Sequence, residues 1–416
     1  MDAVKEYFGQ NIRQSGIVMA LIVLVAAGTW WTGGRLLMPN NLVALVQQNA
    51  YVMILAFGIV MVIVAGQIDL SVGSFVALVG AFLGVMMAQW NWDWPVACLG
   101  AIVAGLLLGA WQGFWVAVVG IPAFIVTLAG MLTFRGLAVV ITGITMSGFP
   151  QGFINVANGS VPQFFGFITN PIPIFGTHNT FGQTLDVLTL VVGVIVAVAY
   201  IIQQIRKRAA DAKHAVEDED ESLVKFRFGI FIAKVILVPV VILCATYLVA
   251  ASTGGLPWVL IIVGVLFIAY AFLMGNTTFG RHTYAIGGNL PAAILSGINA
   301  KRVNFLLFVS MGFLCAVAGI ITTSRSGASI ATAGTGYEMD AIAACFVGGT
   351  AVQGGVGRTV GAMIGALIMG VLNMSMSIMN VDPNWQSVVK GMVLLLAVTL
   401  DLASKQRSQL SAGGRF

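Results

Sequence analysis

Two apolar blocks, PWVLIIVGVLFIAYAFLMG and VNFLLFVSMGFLCAVAGI, flank a polar island at residues 277–302 and constrain the whole chain. A helix rises about 1.5 Å per residue, so each block can cross a hydrocarbon core about 30 Å thick. Similar blocks recur from one end of the sequence to the other. With 59% hydrophobic and 8% charged residues, the chain is far from the roughly 25% charged composition of soluble domains. We therefore expect an all-α polytopic membrane protein in one transmembrane domain over residues 1–416. About twelve transmembrane helices are expected, including one short or broken helix.

The island between those blocks carries Arg281, Lys301 and Arg302 and no acid. Loops with that bias stay in the cytoplasm. Gly287, Gly288 and Asn289 read as a turn, because glycine and asparagine tolerate positive φ. Asn289 is placed to cap a helix that has Pro291 in its first turn. That short helix, AAILSGI, presents Ala292, Leu295 and Ile298 at helical spacing. A half-apolar helix of this kind is a knob for a socket on another protein.

GRHTYAIGGNLPAAILSGI resembles the cytoplasmic coupling loop of permease subunits from bacterial ABC importers for monosaccharides, the xylose-type permeases above all. GQIDLSVGS, the arginine–glycine pair at Arg135 after IPAFIVTL, and GTGYEMDAIAACFVGGT are similar to the same family. The resemblance covers residues 49–143 and 254–402, with 144–253 more variable. It implies a permease in the bacterial inner membrane that pairs with a second permease copy, as a homodimer, and lines the sugar path. An ATPase subunit would dock from the cytoplasm on the coupling loop at 276–302. Gly280, Arg281, Tyr284, Gly287, Gly288, Asn289, Ala292, Ala293, Leu295, Ser296, Gly297 and Ile298 are the loop positions carried over. A periplasmic sugar-binding protein would deliver the substrate. ATP and Mg would be used by the partner ATPase, so this chain itself is expected to be no enzyme and to bind no cofactor.

Taken in order, the stretch from Ile17 follows Lys5 and Arg13, lacks a small-residue cleavage site and reads as a retained outward helix. Residues 36–48, broken at Pro39, read as an interfacial segment, and 51–66 as an inward helix ending in GQIDLSVGS. Spans follow at 75–90, 96–119 and from Pro122 to about 141, with tryptophans at 90–94 at headgroup depth. Residues 144–186, rich in Gly, Pro, Asn and Phe, read as an extracytoplasmic loop of irregular structure. After an inward helix from Val187, the charged segment 203–229 reads as a solvated cytoplasmic loop, with Arg206, Lys207 and Arg208 against the membrane and the acidic run 217–221 beyond. Helices from Ile230 and Trp258 lead back to the island. With both termini cytoplasmic, parity demands one more inward pass, and only YEMDAIAACFVGG is available for it. It is too short to span straight and must be a short or broken helix buried among its neighbours.

Asp69, beside Ser71, stands in an apolar sequence where a carboxylate at helix centre costs roughly 2.5–3.5 kcal/mol. Two readings stand: a cap on a broken helix, or contact with sugar. Glu338 and Asp340 repeat the pattern in GTGYEMD, hinting at an internal repeat. Arg135 is the basic counterpart within the membrane. Asp69, Ser71, Arg135, Glu338 and Asp340 are the candidates for the translocation path. An ion-coupled secondary transporter is the alternative, with Asp69, Arg135 and Asp340 as relay. The net charge of +5 resides in loops, where topology explains it without nucleic acid. Gly361 and Gly365 suit close helix packing against a neighbour. GGVGRTVG lacks the lysine of a phosphate loop. Cys98, Cys244, Cys315 and Cys345 all lie in apolar segments and read as reduced core thiols. Relative to the ribose-type permeases of the family, the hairpin from Val187 to the end of the Ile230 helix is an enlargement similar to that of xylose permeases, which makes xylose the first choice of sugar.

Overall fold

The computed structural model describes residues 2–169, 184–213 and 221–413. Among these are fifteen α-helices. Eight helices are long and apolar enough to cross a membrane, and shorter apolar helices at Gly16–Trp31 and Val235–Ala250 add to them. The chain is a multi-pass helical membrane protein, as its composition requires. Backbone contacts divide it into one unit of Met1–Arg13, Gly34–Ala44 and Ser160–Pro257, and a larger one of Gln14–Gly33, Leu45–Gly159 and Trp258–Phe416.

Helix α1, Asp2–Trp31, begins well before Ile17, and α2 is one unbroken helix, Pro39–Val64. Pro39 therefore opens this helix instead of breaking it. It occupies the first helical position, where its missing N–H removes no intrahelical bond and its fixed φ suits the helix. From Asn49 to Val64 nearly every residue of α2 is buried, and so is nearly all of α3, Val72–Gly84. Both are apolar all round, which fits helices enclosed on every side. A π-helical turn, Val85–Gln89, continues α3. Helix α4, Trp94–Phe114, ends in a second π-helical turn, Trp115–Val119, and Gly120 at φ 87° reverses the chain into α5, Ala123–Thr142.

The expected irregular outer loop contains a helix, α6, Gln151–Asn158, and strand β1, Thr145–Ser147. Phe153 and Ala157 of α6 are buried, so its apolar face anchors the loop. In the smaller unit, β2, Phe167–Thr169, pairs antiparallel with β3, Thr184–Asp186, with Phe167 opposite Asp186. Helices α7, Val187–Lys213, and α8, Glu221–Ala250, then pack on one another. Asp186 caps α7 by accepting from the Thr189 amide and hydroxyl. Much of the expected charged loop 203–229 is therefore helical, because its Lys, Arg, Glu and Ala residues favour helix even without an apolar periodicity. Arg208 lies over the Phe231 ring at 4.5 Å, joining α7 to α8. Most of the acidic run 217–221 lies outside the described residues, as does 170–183 of the outer loop.

The larger unit continues with α9, Trp258–Asn276, then α10, Thr278–Gly288, α11, Leu290–Leu295, and α12, Ala300–Ser326. Strand β4, Ala328–Ile330, pairs with β1, Thr145 facing Ile330. Helix α13, Tyr337–Val347, is short, at about 1.5 Å per residue little more than half a bilayer core. Helices α14, Thr359–Ile378, and α15, Pro383–Gly413, complete the fold.

Small residues bring these helices into backbone contact. A Cβ at Gly109 would lie 2.5 Å from the Phe308 carbonyl, so α4 and α12 touch main chain to main chain. Gly361 and Gly365 do the same for α14 against Gly348, the residue that caps α13, and Ala344 within it. Close approach of this kind gives van der Waals packing where lipid supplies no hydrophobic drive between helices. Cys315 and Cys345 are buried and Cys98 half-buried, but Cys244 is exposed on α8, since its helix offers an apolar flank to lipid and not to a core.

Candidate functional site

The island is built from caps. Thr277 Oγ1 accepts from the Gly280 amide at 3.2 Å to start α10, and Asn289 Oδ1 accepts from the Ala292 amide at 3.1 Å to start α11. Asn299 Oδ1 accepts from the Arg302 amide at 3.0 Å and opens α12. Gly287 and Gly288 are not the expected turn. They finish α10 as helix, and the chain reverses at Asn289, in extended backbone at φ −158°. What requires glycine at 287 is proximity: a Cβ there would collide with the Val64 carbonyl and lie 2.8 Å from the Gly355 amide nitrogen.

That proximity joins three segments which the sequence separates. The Gly355 amide donates to the Val64 carbonyl at 2.8 Å. Gly354 and Gly355, at φ 83° and 71°, press on Gly287 and Gly288. Tyr284 Oη donates to the Gly357 carbonyl at 2.6 Å. Burial holds the Tyr284 phenol above its ordinary range, with Arg358 opposing, so it remains a hydrogen donor at neutral pH. GGVGRTVG is thus the platform under the island. Its glycines were visible, but their partners come from distant parts of the chain.

On α11 the faces differ from expectation. Ala293 is buried, Ile298 packs inward, and the outward apolar residues are Leu290, Ile294 and Leu295, the last 89% exposed. The helix stops at Leu295, and Gly297 at φ 84° folds Ile298 back onto the core, so the helical spacing that would have grouped Ile298 with Ala292 and Leu295 ends too soon. Ala292, Ser296, Gly297 and Arg281 are exposed, while Gly280 is buried against the carbonyls of Leu273 and Met274.

The intramembrane candidates separate into distinct junctions. Asp69 is 1% exposed, and its Oδ1 accepts from the Ser71 amide at 2.8 Å and the Ser71 hydroxyl at 2.7 Å. Gln112 Nε2 of α4 donates to Ser71 Oγ at 2.7 Å. Asp69 Oδ2 has no hydrogen-bond partner. These contacts make an Asx turn that leads into α3, whose N-cap residue is Ser71. Asp340, buried in the first turn of α13, accepts from Tyr51 Oη at 2.7 Å and pairs with Lys390 Nζ at 3.1 Å. The Tyr51 ring stacks on Tyr337. Sequence reasoning missed both Tyr51 and Lys390. The signal for the lysine was present, a lone base at the head of KGMVLLLAV. Arg135 Nη1 donates to the carbonyls of Ala331 at 2.9 Å and Ala333 at 2.6 Å, and so holds the loop ahead of α13. Asp69, Arg135 and Asp340 therefore have separate partners. The GQIDLSVGS and GTGYEMD stretches do meet, because a Cβ on Gly73 or on Gly334 would strike the other glycine's carbonyl.

Membrane-spanning helices packed through glycine, short helices opening inside the bundle and a capped knob bearing exposed leucines define a membrane permease. Residues 41–398 match the family model described as branched-chain amino acid transport system / permease component, and the chain belongs to that family. It is 37% identical to the xylose transport system permease protein XylH of Escherichia coli (strain K12), over 96% of this chain and 94% of that one. It is 36% identical to XylH of Haemophilus influenzae, over 95% and 98%, and 32% identical to the ribose import permease protein RbsC of Escherichia coli (strain K12), over 95% and 96%. No solved structure matches the chain.

Proposed function

We propose that this permease is the membrane-spanning subunit of an ATP-driven bacterial importer for a monosaccharide, with xylose the first choice. The observation that carries the reading is the seating of the island. Its knob exposes Leu290, Ile294 and Leu295, and its base grips Val64 and Gly66 through Gly287, Gly354 and Gly355. Force applied to the knob by a docked ATPase would reach the end of α2 and the Asp69–Ser71 turn without passing through a loose linker. The basic residues Arg281, Lys301 and Arg302 support a cytoplasmic island and cytoplasmic termini in the inner membrane. A second permease copy, an ABC ATPase using ATP and Mg, and a periplasmic sugar-binding protein are the partners this reading requires. Near-full-length identity to xylose permeases supports the choice of sugar.

The ion-coupled alternative loses its main support, since Arg135 is bound to carbonyl oxygens and Asp340 to Lys390 and Tyr51. The test is uptake in a permease-null strain carrying the cognate ATPase and binding protein, with labelled xylose competed by ribose, arabinose and galactose. Restored xylose uptake that survives an uncoupler but not ATP depletion is expected. Uptake that collapses with the proton gradient alone would overturn the reading.

A further inference from the structure

Arg135 and Glu338 differ in burial from the two acids Asp69 and Asp340. Asp69 and Asp340 are buried, whereas Arg135 and Glu338 are only half-buried, and no ion pair joins them. Each nonetheless lies within electrostatic reach of the other. Arg135 sits inside the membrane-spanning helix Ala123–Thr142. Its two bonds to Ala331 and Ala333 draw the 331–336 loop toward that depth. The Glu338 carboxylate lies on Gly73 in the first turn of α3, where a Cβ would collide with it. A helix N-terminus favours negative charge there. Beside these two groups Thr332 and Thr335 are exposed, as is Met339. A charged side chain partly exposed within a membrane-spanning helix, as Arg135 is, is costly against lipid and characteristically lines a water-filled or substrate path.

We propose that Arg135, Glu338 and the hydroxyls of Thr332 and Thr335 form a contact site for a neutral polyhydroxylated substrate, a monosaccharide, on the translocation path. The chemistry is complementary. A guanidinium only donates hydrogen bonds and a carboxylate only accepts them, while each sugar hydroxyl does both. An open Arg–Glu pair can be bridged by such hydroxyls, and its net charge of zero favours a neutral polyol over a sugar phosphate or sugar acid. Asp69, Ser71 and Asp340 fall outside this site, because all three are buried. The assignment of a sugar rests on the importer reading; the assignment of a polar path does not.

Two measurements on the full transporter complex test this separately. In a chain with Cys98, Cys244, Cys315 and Cys345 replaced by serine, Thr335→Cys should react with a charged methanethiosulfonate reagent, and xylose should slow that reaction. A residue facing lipid or closed protein would not react, which would overturn the site whatever the substrate. Glu338→Gln and Arg135→Lys, at normal membrane abundance and ATPase co-purification, should raise the KM for xylose about tenfold and change the uptake ratio of xylose to ribose. An unchanged ratio, or a uniform loss for every sugar, would assign both residues a purely structural role and overturn the proposal. If the unaltered permease imports none of the sugars, the importer reading fails, and thiol reactivity alone decides whether the patch lines a path.

Discussion

Replacing Lys390 with methionine removes the counter-ion of Asp340 while keeping most of the side-chain volume. Asp340 is 3% exposed, so the carboxylate left behind has little access to water. Breaking a buried pair from one side costs about 3–5 kcal/mol. Two features reduce that here: the Lys390 side chain is 24% exposed and Tyr51 still donates to the carboxylate at 2.7 Å. We therefore expect a loss of about 2–3 kcal/mol, since one charge-assisted hydrogen bond survives. At about 2 °C per kcal/mol, suited to a long chain, the melting temperature in detergent should fall by about 4–6 °C. The double variant Asp340→Asn/Lys390→Met removes the orphaned charge and should recover most of the loss, to within about 1 kcal/mol. The assay is thermal unfolding followed by size-exclusion fluorescence on all four members of the cycle. A single variant as stable as the parent, or a double variant no better than the single, would refute the claim that this pair ties α13 to α15 and α2.

The other predictions concern the island and the Asp69 turn. Gly287→Ala should lower uptake more than tenfold at normal membrane abundance, because its Cβ collides with backbone at Val64 and crowds Gly355, whereas Gly288→Ala meets nothing within 4 Å and should transport normally. Leu295→Asp should insert and fold normally but lose co-purification with the ATPase subunit, since Leu295 is 89% exposed and supports no core. Tyr284→Phe removes its bond to the Gly357 carbonyl, worth about 1 kcal/mol, and should speed amide exchange across 350–358. Asp69→Asn retains an oxygen for Ser71 without the buried charge, so it should match the parent in stability and uptake, while Asp69→Ala should lose about 1–2 kcal/mol with the two bonds to Ser71. Loss of uptake in the asparagine variant would show that the charge itself acts in transport.

The chain by itself determined its class, because runs of apolar residues near twenty long leave no soluble alternative. It also determined the island's polarity, the Asn289 cap with Pro291 behind it, and the shortness of the element at 337–347, since each depends on residues adjacent in sequence. Tertiary structure decided what depends on distant partners. Pro39 looks like a break until α2 is seen to start there, and Gly287 looks like a turn until Val64 and Gly355 are found against it. Asp69 and Asp340 look alike in sequence, yet one makes a local turn with Ser71 and the other is neutralised by Lys390, fifty residues away. Local hydrogen bonds and hydropathy are written in neighbouring residues. A counter-ion or a backbone collision is set only when packing brings remote segments within a few ångströms.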